Sequence, residues 1–334
     1  MRVSVTGATG FIGRALVRRL LAEKHAVKIF ARDAEKGEEL AAQGAEVIRG
    51  DLRHPGAIEH LAEGAELLFH LAARVSGPGT REQYMDANLG GTERMLSACA
   101  RQKVRRVVHL SSLAVYGPLV GPGPITEETA FDEKPERRGF YAESKIAGDE
   151  FAASFAKERG LSVAILRPGL VYGPGRVPLG LLAFPAGKLK FVFGRKRLHL
   201  PVNYIENLID AMLAAATADT GGPEDFNVVD EENLTLGEYH QAVNDAAGGA
   251  TIFLPGLPVL LASPAVDVVT RAIGVMGDSR ISWRQLRRML EDRVYSTERI
   301  RKRTGWSARV GVREALQRSF AGAKGNGEAE TETS

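Results

Sequence analysis

The 334-residue sequence predicts an α/β fold, a doubly wound parallel sheet followed by a smaller C-terminal substrate-binding lobe. Three observations carry this. Short apolar runs alternate with helical patterns over the first half of the chain. The first run ends in a glycine-rich turn, Gly7-Ala8-Thr9-Gly10-Phe11-Ile12-Gly13, that leads directly into a helix. Further on, Tyr141-Ala142-Glu143-Ser144-Lys145 places two reactive side chains four residues apart.

Residues 2–6 read as a buried strand and residues 11–22 as a helix, with apolar positions at Phe11, Ile12, Ala15, Leu16, Leu20 and Leu21. In the join, Gly7 allows the tight turn, Gly10 lets a pyrophosphate approach the backbone, and Gly13 lets helix and sheet pack closely. Free N–H groups and the positive end of the helix dipole then face phosphate, with Thr9, Phe11 and Ile12 bordering it. A glycine triplet alone, spaced GxxGxxG, is weak evidence, and a ligand-free turn is the alternative. The strand before it and the helix after it favour a dinucleotide. Further strands are predicted at 26–31, 45–49, 67–71, 104–111 and 163–167, and helices at 34–43, 55–62, 80–101 and 141–159. The ligand belongs at the carboxyl ends of such strands. Residues 1–172 form the expected cofactor domain, with 201–230 returning to it. Residues 173–320 form the lobe, and 321–334, small and acidic, read as a disordered tail.

Tyr141 and Lys145, four apart on a helix, share one face, with Cβ atoms about 5 to 6 Å apart. A tyrosine titrates near ~10, so it works as an acid or base at neutrality only if a cation stabilises its phenolate. Lys145 is placed to be that cation.

Lysine plus arginine number 44 against 41 acids, a net charge of +3, so no polyanion partner and no nucleic acid is implied. The single cysteine, Cys99, excludes an intrachain disulfide and a thiolate metal cluster, and it suits a reducing compartment. No metal site is expected. The first apolar run is the nucleotide-binding strand and not a leader, so a cytoplasmic location is expected. Residues 254–276 are apolar but carry Pro255, Pro258, Pro264, Asp267, Thr270 and Arg271. A spanning helix needs ~20 apolar residues without such breaks. Two readings stay open: a core or dimer-facing helix, and a peripheral membrane-surface segment beside an entrance for a lipid-like substrate.

The chain also carries His70-Leu71-Ala72-Ala73, Asn88 followed by Gly91-Thr92, and Ser111-Ser112 before Val115-Tyr116-Gly117. Leu166-Arg167-Pro168 precedes Tyr172-Gly173-Pro174. In order and spacing this set resembles the extended short-chain dehydrogenase/reductases, the NAD-dependent epimerase/dehydratase superfamily, over nearly the whole chain. The resemblance implies a Rossmann domain and a nicotinamide cofactor. It implies a catalytic Ser112 that binds the substrate oxygen, Tyr141 that transfers the proton, and Lys145 that also holds the nicotinamide ribose. It places Asp51 and Leu52 at the adenine, and Ala72, Ala73 and Pro168 along the cofactor. Ser111 borders the cofactor and bonds loop backbone, and His70 is structural. Asn88 either helps hold Lys145 or is a helix residue with a satisfied amide. Members often pair two helices per subunit, so a homodimer through 80–101 and 141–159 is expected.

Aligned on its glycines, the chain has Ala31 where NAD-using members carry Asp, followed by Arg32, which accommodates the 2′-phosphate of NADP. Asp33 keeps NAD open, and a solvated strand-end charge is the plain alternative for Arg32. After Ser112, Leu113-Ala114 replace the Asp-Glu of sugar-nucleotide dehydratases, and Leu170 stands where many epimerases have Asn. These departures, the segment 200–207 and the apolar stretch after Leu254 are similar to the 3β-hydroxysteroid dehydrogenase and dihydroflavonol reductase branch. Hydride transfer between nicotinamide and a hydrophobic secondary alcohol or ketone is therefore expected. Nucleotide-sugar epimerisation and a non-catalytic NADP sensor are the alternatives. Arg280, Arg284, Arg287, Arg288 and Arg293 either grip a diphosphate or form a solvated helix face.

Overall fold

The computed structural model describes residues 1–117, 123–177, 183–186, 189–218, 222–254 and 292–323. Its strands are β1 (Arg2–Thr6), β2 (Ala26–Ala31), β3 (Glu46–Arg49), β4 (Leu67–His70), β5 (Arg106–Leu110), β6 (Val163–Pro168), β7 (Leu170–Tyr172), β8 (Ala183–Ala186), β9 (Leu189–Phe193), β10 (Val202–Tyr204), β11 (Glu224–Val228) and β12 (Ala250–Leu254). The α-helices are α1 (Phe11–Ala22), α2 (Ala34–Ala41), α3 (Pro55–Ala62), α4 (Arg81–Met85), α5 (Gly91–Arg101), α6 (Phe140–Arg159), α7 (Ile205–Thr217), α8 (Leu236–Ala247), α9 (Glu298–Thr304) and α10 (Val312–Ala323).

Seven strands form one sheet in the order β11-β6-β5-β4-β1-β2-β3, every neighbouring pair parallel. The order reverses between β1 and β4, and the carboxyl ends there open onto the crevice in which such folds bind ligands. All of β4, β5 and β6 is buried, as continuous apolar strands covered on both faces should be. Alternation still sorts their side chains. Val108, Leu110, Ala164 and Leu166 join the core under α1 and α7, whereas Val107, Val163 and Ile165 join the core under α3, α5 and α6.

The helices at 11–22 and 55–62 fall where the apolar pattern puts them. The helical run expected over 80–101 is interrupted: α4 and α5 are joined by a π-helical turn, Asp86–Gly90. Thr80 starts it with a capping box to Gln83. The edge strand β11 had no strand-like pattern in its sequence, EDFNV. Helix α7 packs against α1, β5 and β6. Strands β7 and β10 form a parallel pair, and β12, β9 and β8 a small third sheet.

Residues 321–323, expected to open the tail, belong instead to α10, which continues to Ala323. The stretch 254–276 lies outside the described residues beyond Leu254, as do Arg280, Arg284, Arg287 and Arg288 and residues 324–334. Arg293 is described and is engaged by a partner. Among the described residues no helix is long and apolar enough to cross a membrane.

At Gly13 a Cβ would stand 2.1 Å from the Gly7 carbonyl oxygen and 2.6 Å from the Ala8 Cα. Backbone cannot yield there, so Gly13→Ala should cost on the order of 3 kcal/mol or more, read as a lowered urea midpoint. An unchanged midpoint would show that α1 can lift from β1.

Candidate active site

The phosphate end begins at β1. Gly7 has φ +69°, and a Cβ on it would sit 2.7 Å from the Ala72 nitrogen, so only glycine fits at this position against the turn after β4. Gly10 differs, since its Cβ would meet only the Gly7 oxygen, at 3.3 Å. It caps α1 with no side-chain bond, and the first turn holds no acid. Phe11 and Ile12 are partly buried against the core, and Arg14 is drawn back onto the Thr9 carbonyl (3.0 Å) and Glu39 (3.1 Å). The α1 N-terminus thus keeps N–H donors for a phosphate.

His70 is a strut, as expected of it. The Thr6 hydroxyl accepts from the backbone N–H groups of Leu71 and Ala72 (3.2 Å each), which leaves its proton for His70 Nδ1 at 2.8 Å. Nε2 then donates to Thr92 Oγ1 (3.2 Å), whose hydroxyl donates to the Asn88 carbonyl (2.7 Å). Burial, with the Lys145 charge nearby, pushes His70 down to about 3, so the ring stays neutral at physiological pH.

At the end of β2, Arg32 is 80% exposed in its side chain, and its carboxylate neighbour is Asp51 at 3.9 Å. Asp33 is committed to α2: its carboxylate caps the helix, accepting from the N–H groups of Glu35 (3.1 Å) and Lys36 (3.3 Å). Asp51 accepts from the backbone N–H and the Nε of Arg53, both at 2.9 Å, which holds its carboxyl below the usual range. Leu52 lies against Gly91, and its carbonyl accepts from Arg94 Nε (2.6 Å). Ala73 is half-buried beyond Ala72, and Pro168 closes β6, buried.

The reacting end gathers at β5 and α6. Ser112 follows β5, caps the short 3₁₀ turn Leu113–Val115 and accepts from the Ala114 N–H at 3.1 Å. Tyr141 stands on the first turn of α6, with the Ser112 hydroxyl near enough to act on its phenol. Lys145, one turn on and buried, donates to the Leu110 carbonyl at 2.7 Å. Burial pushes Lys145 down to about 8, opposed by the charge of Asp149. Burial also raises Tyr141 above its ordinary value, opposed by the Ser112 hydroxyl. In this state the ammonium is engaged by the Leu110 carbonyl, and desolvation of the phenol sets the direction at Tyr141.

Asn88 takes the second of its two expected roles, and the expectation for Ser111 changes. Asn88 accepts from the Arg74 N–H (2.7 Å) and donates to the Arg74 carbonyl (3.0 Å) and to Ser144 Oγ (2.8 Å), so its amide holds a loop to α6 and does not reach Lys145. The Ser111 backbone N–H donates to the Leu166 carbonyl at 2.7 Å, but its buried hydroxyl has no protein partner and does not bond loop backbone. An orphaned hydroxyl beside Lys145 and an uncapped helix start at Gly10 fit the two ends of a dinucleotide. Sequence reasoning missed Asp149, which continues the 141, 145 spacing by another four and grips Arg167 of β6 through bonds of 2.9 and 2.8 Å. It also read the segment 200–207 as a likeness without a role. Asn203 accepts from the Gly169 N–H (2.7 Å), and Asn207 accepts from Arg309 and Val310 (3.1 Å each), so these amides build the fold.

A doubly wound sheet with an open helix start at its switch point and a Ser-Tyr-Lys set beyond β5 defines an extended short-chain dehydrogenase/reductase. The chain belongs to the NAD dependent epimerase/dehydratase family, whose model matches residues 3–228. It is similar to the 3beta-hydroxysteroid-dehydrogenase/decarboxylase isoform 2 of Arabidopsis thaliana, 25% identical over 95% of this chain and 61% of that protein. It is similar to the 2-alkyl-3-oxoalkanoate reductase of Stenotrophomonas maltophilia, 32% identical over 62% of each. The chain thus spans about three-fifths of the length of these two relatives. A UDP-glucose 4-epimerase of Mycolicibacterium smegmatis is 32% identical over 74% of this chain and 83% of its own. The fold is shared with the UDP-glucose 4-epimerase of Thermus thermophilus in complex with NAD, with a TM-score of 0.72, 24% identity, and coverage of 98% of this chain and 100% of that one.

Two outcomes follow from the geometry. Tyr141→Phe should reduce turnover by at least about 100-fold while the reduced nicotinamide cofactor, tried as NADH and as NADPH, still quenches protein fluorescence; full activity would remove Tyr141 from the acid's role. Lys145 is charged below about 8 and neutral above it. The pH profile of kcat/KM for reduction should therefore fall through that value, and a profile flat from pH 7 to 9 would show that its charge is not needed.

Proposed function

We propose that this protein passes hydride between a nicotinamide cofactor, preferentially NADP, and a secondary alcohol or ketone on a hydrophobic substrate. The observation that carries the reading is the apolar rim of the site. Val75, Phe140 and Leu170 are 54%, 43% and 39% exposed, and they follow the turn after β4, precede Tyr141 and follow β6. Exposed large apolar side chains on the segments that follow β4, precede Tyr141 and follow β6 suit an apolar ligand. Leu113, buried, and Ala114 supply no acid–base pair for dehydration.

In this reading the nicotinamide ring, when bound, supplies or takes the hydride. Ser112 Oγ donates to the substrate oxygen and orients it. Tyr141 delivers the proton from its hydroxyl, and the Lys145 charge stabilises the phenolate left behind. Retaining all three groups favours turnover over a purely binding role. The exposed Arg32, together with the engagement of Asp33 as a helix cap, supports NADP. The names of the steroid and oxoalkanoate relatives place the reacting oxygen at position 3 of an apolar skeleton, which suits the rim. The second reading, nucleotide-sugar epimerisation, is favoured by the likeness to the Mycolicibacterium epimerase.

Following reduced-nicotinamide absorbance with hydrophobic 3-oxo compounds and with UDP-sugars separates the two. Net oxidation of NADPH by an apolar ketone is the expected result. Isomerisation of a sugar nucleotide with no net change in cofactor would replace it with the epimerase reading.

A further inference from the structure

We infer that Arg81 of α4 is a positioning residue: through Glu143 it fixes the first turn of α6, and with it the Tyr141 hydroxyl; this rests on the reading of Tyr141 as the proton donor. Tyr141 is the second residue of α6, and that helix starts without a side-chain cap. Its N-cap is Gly139, at φ +88°, with no side-chain hydrogen bond. A first turn of this kind leaves N–H groups without partners and frays readily. The bonds that hold α6 to the sheet, Lys145 to the Leu110 carbonyl and Asp149 to Arg167, begin one turn further on.

The turn that carries the phenol is held from α4. Arg81 Nε donates to both Glu143 carboxylate oxygens, at 2.8 and 3.0 Å, and a terminal nitrogen of the same guanidinium pairs with Oε1. The Glu143 side chain is 8% exposed and that of Arg81 50%, so a buried carboxylate on α6 is satisfied by one arm reaching in from the surface. The base of that arm is fixed. Thr80 and Gln83 close a capping box beneath it, the Tyr84 hydroxyl donates to the Gly77 carbonyl (2.9 Å), and the Tyr84 ring packs on Phe140 at 6.1 Å. Ser144 adds a second tie, since its hydroxyl accepts from the Asn88 amide (2.8 Å) and donates to the Tyr141 carbonyl (2.9 Å). Glu143 lies two residues past Tyr141, about 200° around the helix. Arg81 therefore grips the turn from the side away from the phenol and sets its rotation about the axis. Side chains reach about 5–6 Å from a helix axis, so a rotation of about 10° carries the hydroxyl through about 1 Å. A misplacement of that size costs on the order of 100-fold in rate. Without Arg81 the Glu143 carboxylate is drawn toward water, and the turn moves with it.

The test follows turnover of a hydrophobic 3-oxo compound by the full-length protein and its variants, with NADH or NADPH, whichever the wild type uses. Arg81→Gln should lower kcat by roughly 10-fold or more, while cofactor affinity, followed by fluorescence, changes by less than about twofold and reports an intact fold. Arg81→Lys, which keeps the charge without the planar fork, should recover part of the loss. In a Tyr141→Phe background the same Arg81→Gln change should alter turnover by less than about twofold, because no hydroxyl is left to place. Wild-type kcat in Arg81→Gln, a matching loss of cofactor affinity, or an equal loss in both backgrounds overturns the assignment to Arg81 and leaves the role of Tyr141 standing. Full activity of Tyr141→Phe overturns both. A readout that needs no substrate is the NMR signal of Tyr141 Cζ in protein carrying isotope-labelled tyrosine, identified by its absence from Tyr141→Phe. It should move in Arg81→Gln and return toward its wild-type position in Arg81→Lys; an unmoved signal overturns the assignment to Arg81.

Discussion

Asp149 and Arg167 are 1% and 4% exposed in their side chains and meet through two charge-assisted bonds. The same guanidinium donates to the Tyr116 hydroxyl (2.8 Å), pairs with Asp225 of β11 (2.7 Å) and lies 4.7 Å from the centre of the Phe131 ring. One cation therefore joins α6, β6, β11 and the loops after β5. Deleting Arg167 would strand the Asp149 carboxylate in a dry place, a cost of about 3–5 kcal/mol. Tyr141 and Lys145 stand eight and four residues before Asp149 on the same helical face. This clamp, together with the Lys145 bond to the Leu110 carbonyl, holds their distance from the crest of β5.

The opposite side of the crevice is set by hydroxyls and a neutral ring. Thr6, His70, Thr92 and Asn88 form an uninterrupted chain of hydrogen bonds from β1 through β4 to the junction of α4 and α5. His70 also stacks on His109, ring centres 5.3 Å apart. Because burial keeps the imidazole uncharged, the strut does not change with pH across the working range. The phosphate end and the reacting end are thus tied by groups that do not titrate where the enzyme chemistry would.

Much of this was legible in the residues. The period of the apolar pattern gave six of the seven main strands and the starts of five of the ten described α-helices, because strands buried on both faces and amphipathic helices both have strong signatures. Edge strand β11 was missed because the side chains of Glu224, Asp225 and Asn227 serve Arg303, Arg167 and Tyr116, so its composition reflects partners and not a pleat. The glycines at 7 and 13 could be read from spacing. That Asp33 is a helix cap, that Ser111 has an orphaned hydroxyl, and that Lys145 donates to Leu110 are facts of three-dimensional neighbourhood. No local pattern encodes them. Asp149 is the exception that could have been found, by extending a four-residue spacing once more.

The π turn at Asp86–Gly90 has a consequence for how the site wall can vary among proteins of this design. A wide turn accommodates one residue more than an α-helical path, and each residue of an α-helix advances it by about 100°. Removing a single residue between Met85 and Gly91 would let α4 and α5 fuse into one straight rod and swing the Tyr84 side of the helix around its axis. Tyr84, which carries Arg74 on its ring and touches Phe140, would then leave the mouth altogether. The character of this wall is written in a count of residues as much as in their identity, so insertion and deletion can retune it where point substitution cannot.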